Sequence, residues 1–486
     1  MREEDVIAQT NGGHPTIIQG GMGVAISGWE LANAVAARGQ MGVVSGTALD
    51  LVCSRRLQLG DPGGHVRRAL EHFPVTAAAQ RVLDTYYVPG GKDPAAPFKN
   101  VRSMTITPSP ELLELLVIGN FVEVWLAKEN VSGPVGINFM RKIELPLVPS
   151  AYGALLAGVD YVIVGAGNPR ELPEVLNKLA RHEDVGLALR VQGTTSADGD
   201  IEALFSPRQL FGSDLAPLPR PPFLAIVASL DLAAGLAGSP AHRPDGFVVE
   251  GPMAGGHNAP PRGPRRMDDR GQPIYDDLDV VDLAGLADIG LPFWLAGSYA
   301  TPEGLKAAQT AGAVGIQVGT ALALSLESGL ETSLKRDIIG QVVNGGIDVR
   351  TDWRASPTGF PFKVVEVEGT LSDREVYEAR RRVCDLGVLR VPFKTKDGNI
   401  GYRCPAEPDR AYTAVKGGRP ANMDGRICLC NGLLATAGLA QVRPSGYVEP
   451  PVVTGGSDYR AVEHLVAATA SGDDFYTAGD VIDYLL

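Results

Sequence analysis

Apolar residues in this chain gather in short runs rather than long stripes. Eight runs, at 16–19, 41–44, 135–138, 161–164, 223–227, 246–250, 293–296 and 315–318, are nearly continuous in large apolar residues. Runs of four or five such residues read as strands buried on both faces, the habit of a parallel sheet covered by helices. Most are followed by stretches with helical spacing. The first stretch, at 29–36, has Ser27 placed to cap it. The stretch after the seventh run starts Thr301-Pro302-Glu303, with proline at the first helical position. Eight strands alternating with helices predict an α/β fold, a (β/α)8 TIM barrel. A further run at 187–191 leaves the strand assignment around 186–222 open.

Two segments break the alternation. Residues 51–133 are too long for one crossover and contain a Pro/Gly loop at 88–92 and a helix near 110–118. They are expected to form an elaborated crossover after strand 2. Beyond 335 the alternation stops, and 336–486 are turn-rich with four of the five cysteines. The expected organisation is a barrel over 1–335 and a C-terminal extension over 336–486 packed on it.

Charge and composition narrow the function classes. The formal net charge is −12, and no basic stripe suggests nucleic acid. Arg262, Arg265 and Arg266 read as a solvated loop or one anionic contact. No apolar run reaches the roughly 18 residues of a membrane span. Residues 1–5 are acidic and lack the apolar core of a signal peptide. An odd five cysteines argue against a disulfide framework. A cytoplasmic protein is expected, with a homo-oligomer left open.

Four places carry candidate chemistry. Gln19-Gly20-Gly21-Met22-Gly23 closes strand 1, at the face where barrel active sites lie. Strand 6 breaks into Gly251-Pro252-Met253-Ala254-Gly255-Gly256-His257. Gly255 and Gly256 would let a flat ligand approach the backbone, and His257 titrates near neutrality and can trade protons. Asn258 would orient a polar ligand group or form an Asx-turn. Strands 7 and 8 end in Ala296-Gly297-Ser298 and Gln317-Val318-Gly319-Thr320, where barrels often grip phosphate. The fourth place is Cys384, Cys404, Cys428 and Cys430. Four thiols in 47 residues could hold zinc or an iron–sulfur cluster. Their wide spacing lacks a knuckle, so buried small hydrophobes are expected and no metal. Cys53 reads as core, and Asp276-Asp277 as solvent-facing. No P-loop, nucleophile elbow, His-Glu-x-x-His or dinucleotide fingerprint occurs.

With 17–23, 249–257, 295–303 and 315–320 taken together, the chain resembles the nitronate monooxygenases, formerly 2-nitropropane dioxygenases. These are FMN-dependent barrels related to flavin-dependent enoyl-acyl carrier protein reductases. The resemblance implies FMN as cofactor and His257 as the catalytic histidine of the Ala-Gly-Gly-His motif. It implies flavin contacts at Gly21, Met22 and Gly23, Gly255 and Gly256, a ring contact at Asn138, and a phosphate grip by Gly297, Ser298, Gly319 and Thr320. Gln317 falls in the same set, with a structural role as its alternative. Met253 stands where many members have Glu, and Ser298 where many have a second Gly.

The function implied is an FMN-dependent monooxygenase that uses O2 to convert alkyl nitronates or nitroalkanes to carbonyl compounds and nitrite. Its partners would be small molecules, neither nucleic acid nor membrane. The rival within the resemblance is an NAD(P)H-dependent enoyl-thioester reductase. The rival of another class is a non-catalytic barrel whose tail serves metal binding or assembly.

Overall fold

The computed structural model describes residues 10–11, 13–212, 215–469 and 475–486. The acidic terminus at 1–5, taken above as no signal peptide, lies outside them. Eight strands form one parallel sheet: β1 (Ile17–Gln19), β2 (Gly42–Ser45), β3 (Val135–Met140), β4 (Tyr161–Gly165), β5 (Phe223–Val227), β6 (Gly246–Glu250), β7 (Phe293–Ala296) and β8 (Gly315–Val318). They pair in chain order from β2 to β8, and β8 pairs with β1. The circle closes between β1 and β2: Gln19 N donates to Met41 O at 2.9 Å and Met41 N to Ile17 O at 3.0 Å. This is the (β/α)8 TIM barrel the apolar runs predict, with each run at its expected place.

The strands' two faces serve two cores. Inward-facing Ile18, Met41, Val43, Ile163, Leu224, Val248 and Trp294 fill the barrel interior. Their neighbours in sequence, such as Ile17, Val44, Val162 and Val249, pack outward against the helices. Strands buried on both sides leave few polar positions, and those present, Gln19, Ser45, Asn138, Glu250 and Gln317, fall at or near the C-terminal strand ends.

Local details depart from the sequence reading. Helix α1 (Trp29–Ala36) is capped at Gly28 without a side-chain hydrogen bond. Ser27 turns the other way. Its hydroxyl donates to Gly20 O at 2.9 Å and accepts from Met22 N at 3.0 Å, so it braces the β1 loop rather than the helix. The helix expected near 110–118 runs on as α2 (Pro110–Lys128), because its apolar residues continue round the whole surface and are buried by the helices and strands packed about it. The run at 187–191 contributes to a separate hairpin, Val185–Ala188 with Glu202–Phe205, outside the barrel. Alternate residues of its first strand are exposed, so it is a half-buried edge rather than a ninth core strand.

The chain beyond 335 wraps the C-terminal ends of the barrel strands. A two-stranded sheet of β9 (Val349–Asp352) and β10 (Phe362–Val365) lies against the β6 loop. Lys363 N donates to Gly256 O at 2.8 Å, and Asn258 N to Pro361 O at 3.0 Å. A second pair, β11 (Val391–Lys394) and β12 (Ile400–Arg403), and helix α3 (Leu429–Thr436) complete this cover. Tail and crossover also interlock. Gln441 exchanges two hydrogen bonds with the Phe98 backbone, at 2.8 and 3.0 Å. At the end of the chain Tyr476 Oη donates to Ala321 O at 2.7 Å, and Arg38 pairs with Asp483 at 2.5 Å.

Candidate active site

The loops after β1, β6, β7 and β8 meet round a cavity of about 140 Å³. Gly21, Met22, Gly23, Gly255, Gly256, Gly297, Ser298, Gln317, Gly319 and Thr320 all line it. Asn138 does not. It sits beneath the β1 loop, where a Cβ on Gly21 would come within 2.4 Å of its own Cβ. Two polar atoms at the cavity, Ser298 Oγ and Gln317 Oε1, are buried without a hydrogen-bond partner. An orphaned hydroxyl and an orphaned amide oxygen in a native site call for a ligand or ordered water. Gly297 has φ +90°, and a Cβ there would press on Ala254 N at 3.0 Å. Ser298 is left-handed too, at φ +63°, a strained state for a residue with a side chain. Ser298 therefore holds a backbone conformation that ordinarily favours glycine.

Five cavity residues come from the tail: Thr454, Gly455, Gly456, Asp458 and Ala461. The strap 454–458 crosses the mouth from β6 to β8. Gly256 N donates to Thr454 Oγ1 at 2.9 Å, Gly456 N to Thr320 Oγ1 at 2.8 Å, and Ser457 N to Met253 O at 3.0 Å. A Cβ on Gly255 would lie 2.8 Å from Gly455 C. Gly255 thus makes room for the strap, and Gly256 supplies the left-handed turn at φ +76°. Sequence reasoning missed the strap; its one signal was the Gly455-Gly456 pair in an otherwise unassigned tail.

A second, larger cavity of about 660 Å³ adjoins the ends of β2, β3 and β4 and is roofed by the tail at Thr358, Phe360 and Arg390. Cations outnumber carboxylates on its wall, although the whole chain is acidic. Lys142, just past β3, lines this cavity and acts electrostatically on Glu250, which lines the smaller one. Its Nζ is buried without a hydrogen-bond partner, 4.4 Å from the centre of the Phe360 ring. Burial pulls its pKa down to about 7, against a partial lift from Glu250. Glu250, at the end of β6, is pushed up to about 7 by burial and lowered by Lys142. No local motif announces this pair, because its members lie more than a hundred residues apart.

His257 lines neither cavity. Its Nε2 shares a 2.7 Å hydrogen bond with Ser356 Oγ, and its ring leans on Phe362 at 4.8 Å. Burial and then the Lys142 ammonium hold its pKa well below the usual histidine value. It is a neutral imidazole at neutral pH. Asn258 Nδ2 donates to Ala254 O at 3.0 Å and closes the same turn. The arginine loop is engaged in local contacts: Arg262 donates to Ala228 O at 2.8 Å, Arg265 stacks over Trp353, and Arg266 pairs with Asp276.

The four tail cysteines, far apart in sequence, come together. Cys404 and Cys428 pack on Ala406, with Cys384 and Cys430 against them. Cys53 is alone in the core, as expected. Among the described residues no helix is long and apolar enough to cross a membrane.

Residues 224–349 match the family model described as nitronate monooxygenase. That span holds three of the four motifs on which the resemblance was read. Similar solved structures include a nitroalkane oxidase from Streptomyces ansochromogenes, 16% identical, covering 97% of this chain and 94% of that one with a TM-score of 0.43. FabK from Thermotoga maritima is 16% identical over 78% of each chain, with a TM-score of 0.40. The enoyl reductase domain of MlnA from Bacillus amyloliquefaciens is 12% identical, covering 78% of this chain and 69% of that one, with a TM-score of 0.39. No curated protein matches the chain.

Proposed function

We propose that this chain is an FMN-dependent oxidoreductase of the nitronate monooxygenase type. The observation that carries the reading is the glycine-walled cavity at the C-terminal mouth of the barrel, with Ser298 Oγ and Gln317 Oε1 unpartnered at it. These residues fit a flavin phosphate. Gly297 permits close backbone approach, Ser298 and Thr320 offer hydroxyls, and the loops after β7 and β8 are where barrels hold such groups. The cavity's size suits the phosphate end of the cofactor, with the β1 loop over Asn138 beside it.

When bound, FMN supplies the electron transfer. The chain supplies the rest. Lys142, whose Nζ has no hydrogen-bond partner, attracts the oxygens of an anionic substrate when in its ammonium form. His257 is neutral and lines neither cavity, so the α-proton of a neutral nitroalkane would reach it only through a relay such as its Ser356 contact, while a pre-formed nitronate needs no such transfer. The tail covers this side of the site at Thr358, Phe360 and Arg390. The overall reaction proposed takes a nitronate and O2 to a carbonyl compound and nitrite.

One observation favours a second reading, an NAD(P)H-dependent enoyl-thioester reductase. The cavity of about 660 Å³ with a cationic wall exceeds the needs of a small nitroalkane and suits a longer anionic substrate. Purified protein reconstituted with FMN separates the cases. Nitrite released from an alkyl nitronate in air supports the monooxygenase. Rapid anaerobic bleaching of the flavin by NADPH, without nitrite formation in air, transfers the assignment to the reductase. Protein that cannot be loaded with FMN ends both.

A further inference from the structure

We propose that Cys384, Cys404, Cys428 and Cys430 form a thiolate-ligated metal centre, zinc or iron–sulfur, in the tail. The sequence argues the other way, since 384, 404 and 428 are spaced too widely for a knuckle. The fold removes that objection. Cys384 lies in the loop after the β9–β10 sheet, Cys404 directly follows β12, Cys428 directly precedes α3, and Cys430 lies in its first turn. All four border one small cavity of about 10 Å³, whose other walls are largely apolar: Leu386, Leu389, Ala406 and Leu429.

A purely hydrophobic role accounts poorly for this. The chain has only five cysteines, and four of them border a single void that a leucine or methionine side chain would have filled. All five are free thiols, and none is joined in a disulfide. Cys404 and Cys428 are only 5% and 8% exposed, so these are not surface thiols.

A second, independent observation concerns charge. Arg390 borders the same cavity, and its Nε is buried without a hydrogen-bond partner. A guanidinium nitrogen left unpaired beside neutral thiols is costly; beside a thiolate-bound metal centre of net negative charge it is compensated. Asn431 Nδ2 donates to Cys428 Sγ at 3.5 Å, the outer-sphere contact typical of sulfur ligands. Asn431 is itself held by Asp385 at 2.8 Å and by Arg443 at 3.1 Å.

An all-sulfur donor set selects zinc or iron–sulfur over the oxygen-seeking cations. As they stand, no three His, Cys, Asp or Glu side chains among the described residues are arranged to hold a metal ion. A single zinc therefore requires the thiols to rotate inward. Four thiolates serve a [2Fe–2S] cluster at two per iron or a [4Fe–4S] cluster at one per iron, and either needs the cavity to open. Arg390, Leu386 and Gly387 also line the 660 Å³ cavity, so the centre would stand one residue layer from the substrate side of the proposed flavin site. Its structural effect is to staple three otherwise separate tail segments.

The test uses the full chain, purified without oxygen and free of flavin, then incubated with zinc or with ferrous iron plus sulfide. Stoichiometric zinc, or iron with acid-labile sulfide and visible absorption, is expected, together with a raised melting temperature that a strong chelator reverses. Cys404→Ser and Cys428→Ser should abolish retention, Arg390→Met should weaken it roughly tenfold or more, and Cys53→Ser should leave it intact. If the serine variants fail to fold, thiol titration of the native wild type decides: four thiols protected by metal support the centre. Wild type that takes up neither metal, or metal that survives in folded Cys404→Ser, overturns it.

Discussion

Lys142 and Glu250 illustrate how much a site depends on two side chains that neither composition nor motif singles out. Both titrate at about pH 7. Below that pH the pair is an ammonium beside a neutral carboxyl, and above it a neutral amine beside a carboxylate. The local charge thus changes from positive to negative as pH rises, and anion binding should weaken in the same direction. A nitronate's affinity for FMN-loaded enzyme, read from flavin absorbance, should fall roughly tenfold between about pH 6 and about pH 8, the size of one pKa unit of coupling. Lys142→Met should flatten that profile; a profile unchanged by the substitution would remove Lys142 from substrate binding. His257 is pulled well below the usual range, so it should add no break near its ordinary value. His257→Ala should keep the flavin and lose about 10²–10⁴-fold in turnover on a neutral nitroalkane, with a smaller loss on the pre-formed nitronate. Equal losses on both would make it a positioning residue acting through Ser356 and Phe362.

At the scale of elements, the loops after β7 and β8 and the strap at 454–458 form one cradle. Gly297→Asp puts a carboxylate where the phosphate is proposed to sit, and a Cβ against Ala254 N on left-handed backbone. The folded variant should purify without flavin and fail to take it up in a fluorescence-quenching titration. Gly456→Val acts from the tail side. Its Cβ would lie 2.9 Å from Thr320 Oγ1 and 3.1 Å from Met253 O, lifting the strap. FMN affinity should fall at least about tenfold, about 1.4 kcal/mol, with the barrel's circular dichroism unchanged. Wild-type affinity in that variant would show that the strap covers the cradle without shaping it.

At the scale of the molecule, the tail is part of the barrel's stability as well as its active-site roof. Ile338 and Val342, ahead of the tail sheets, are buried against helices that follow them, and Tyr476 reaches back to Ala321. A chain ending at residue 346 should lose its cooperative thermal transition and expose apolar surface, as read by a hydrophobic dye. A truncated chain that melts sharply and binds FMN would make the tail a dispensable cover.

The sequence by itself determined the barrel. Each strand is buried on both faces, so its run is mostly apolar and readable locally, and the glycine turns after β1, β6, β7 and β8 mark the strand ends that meet round the small cavity. The cradle residues were legible for the same reason: each belongs to a short motif next to a strand. Tertiary structure alone decided what spans distance. The Lys142–Glu250 pair, the strap that uses Gly255, the redirection of Ser27 and the convergence of four cysteines join residues from loops whose pairings no local periodicity encodes. A strand's register is set by its neighbours in sequence and sheet, whereas a contact between loops is set by the whole scaffold that carries them.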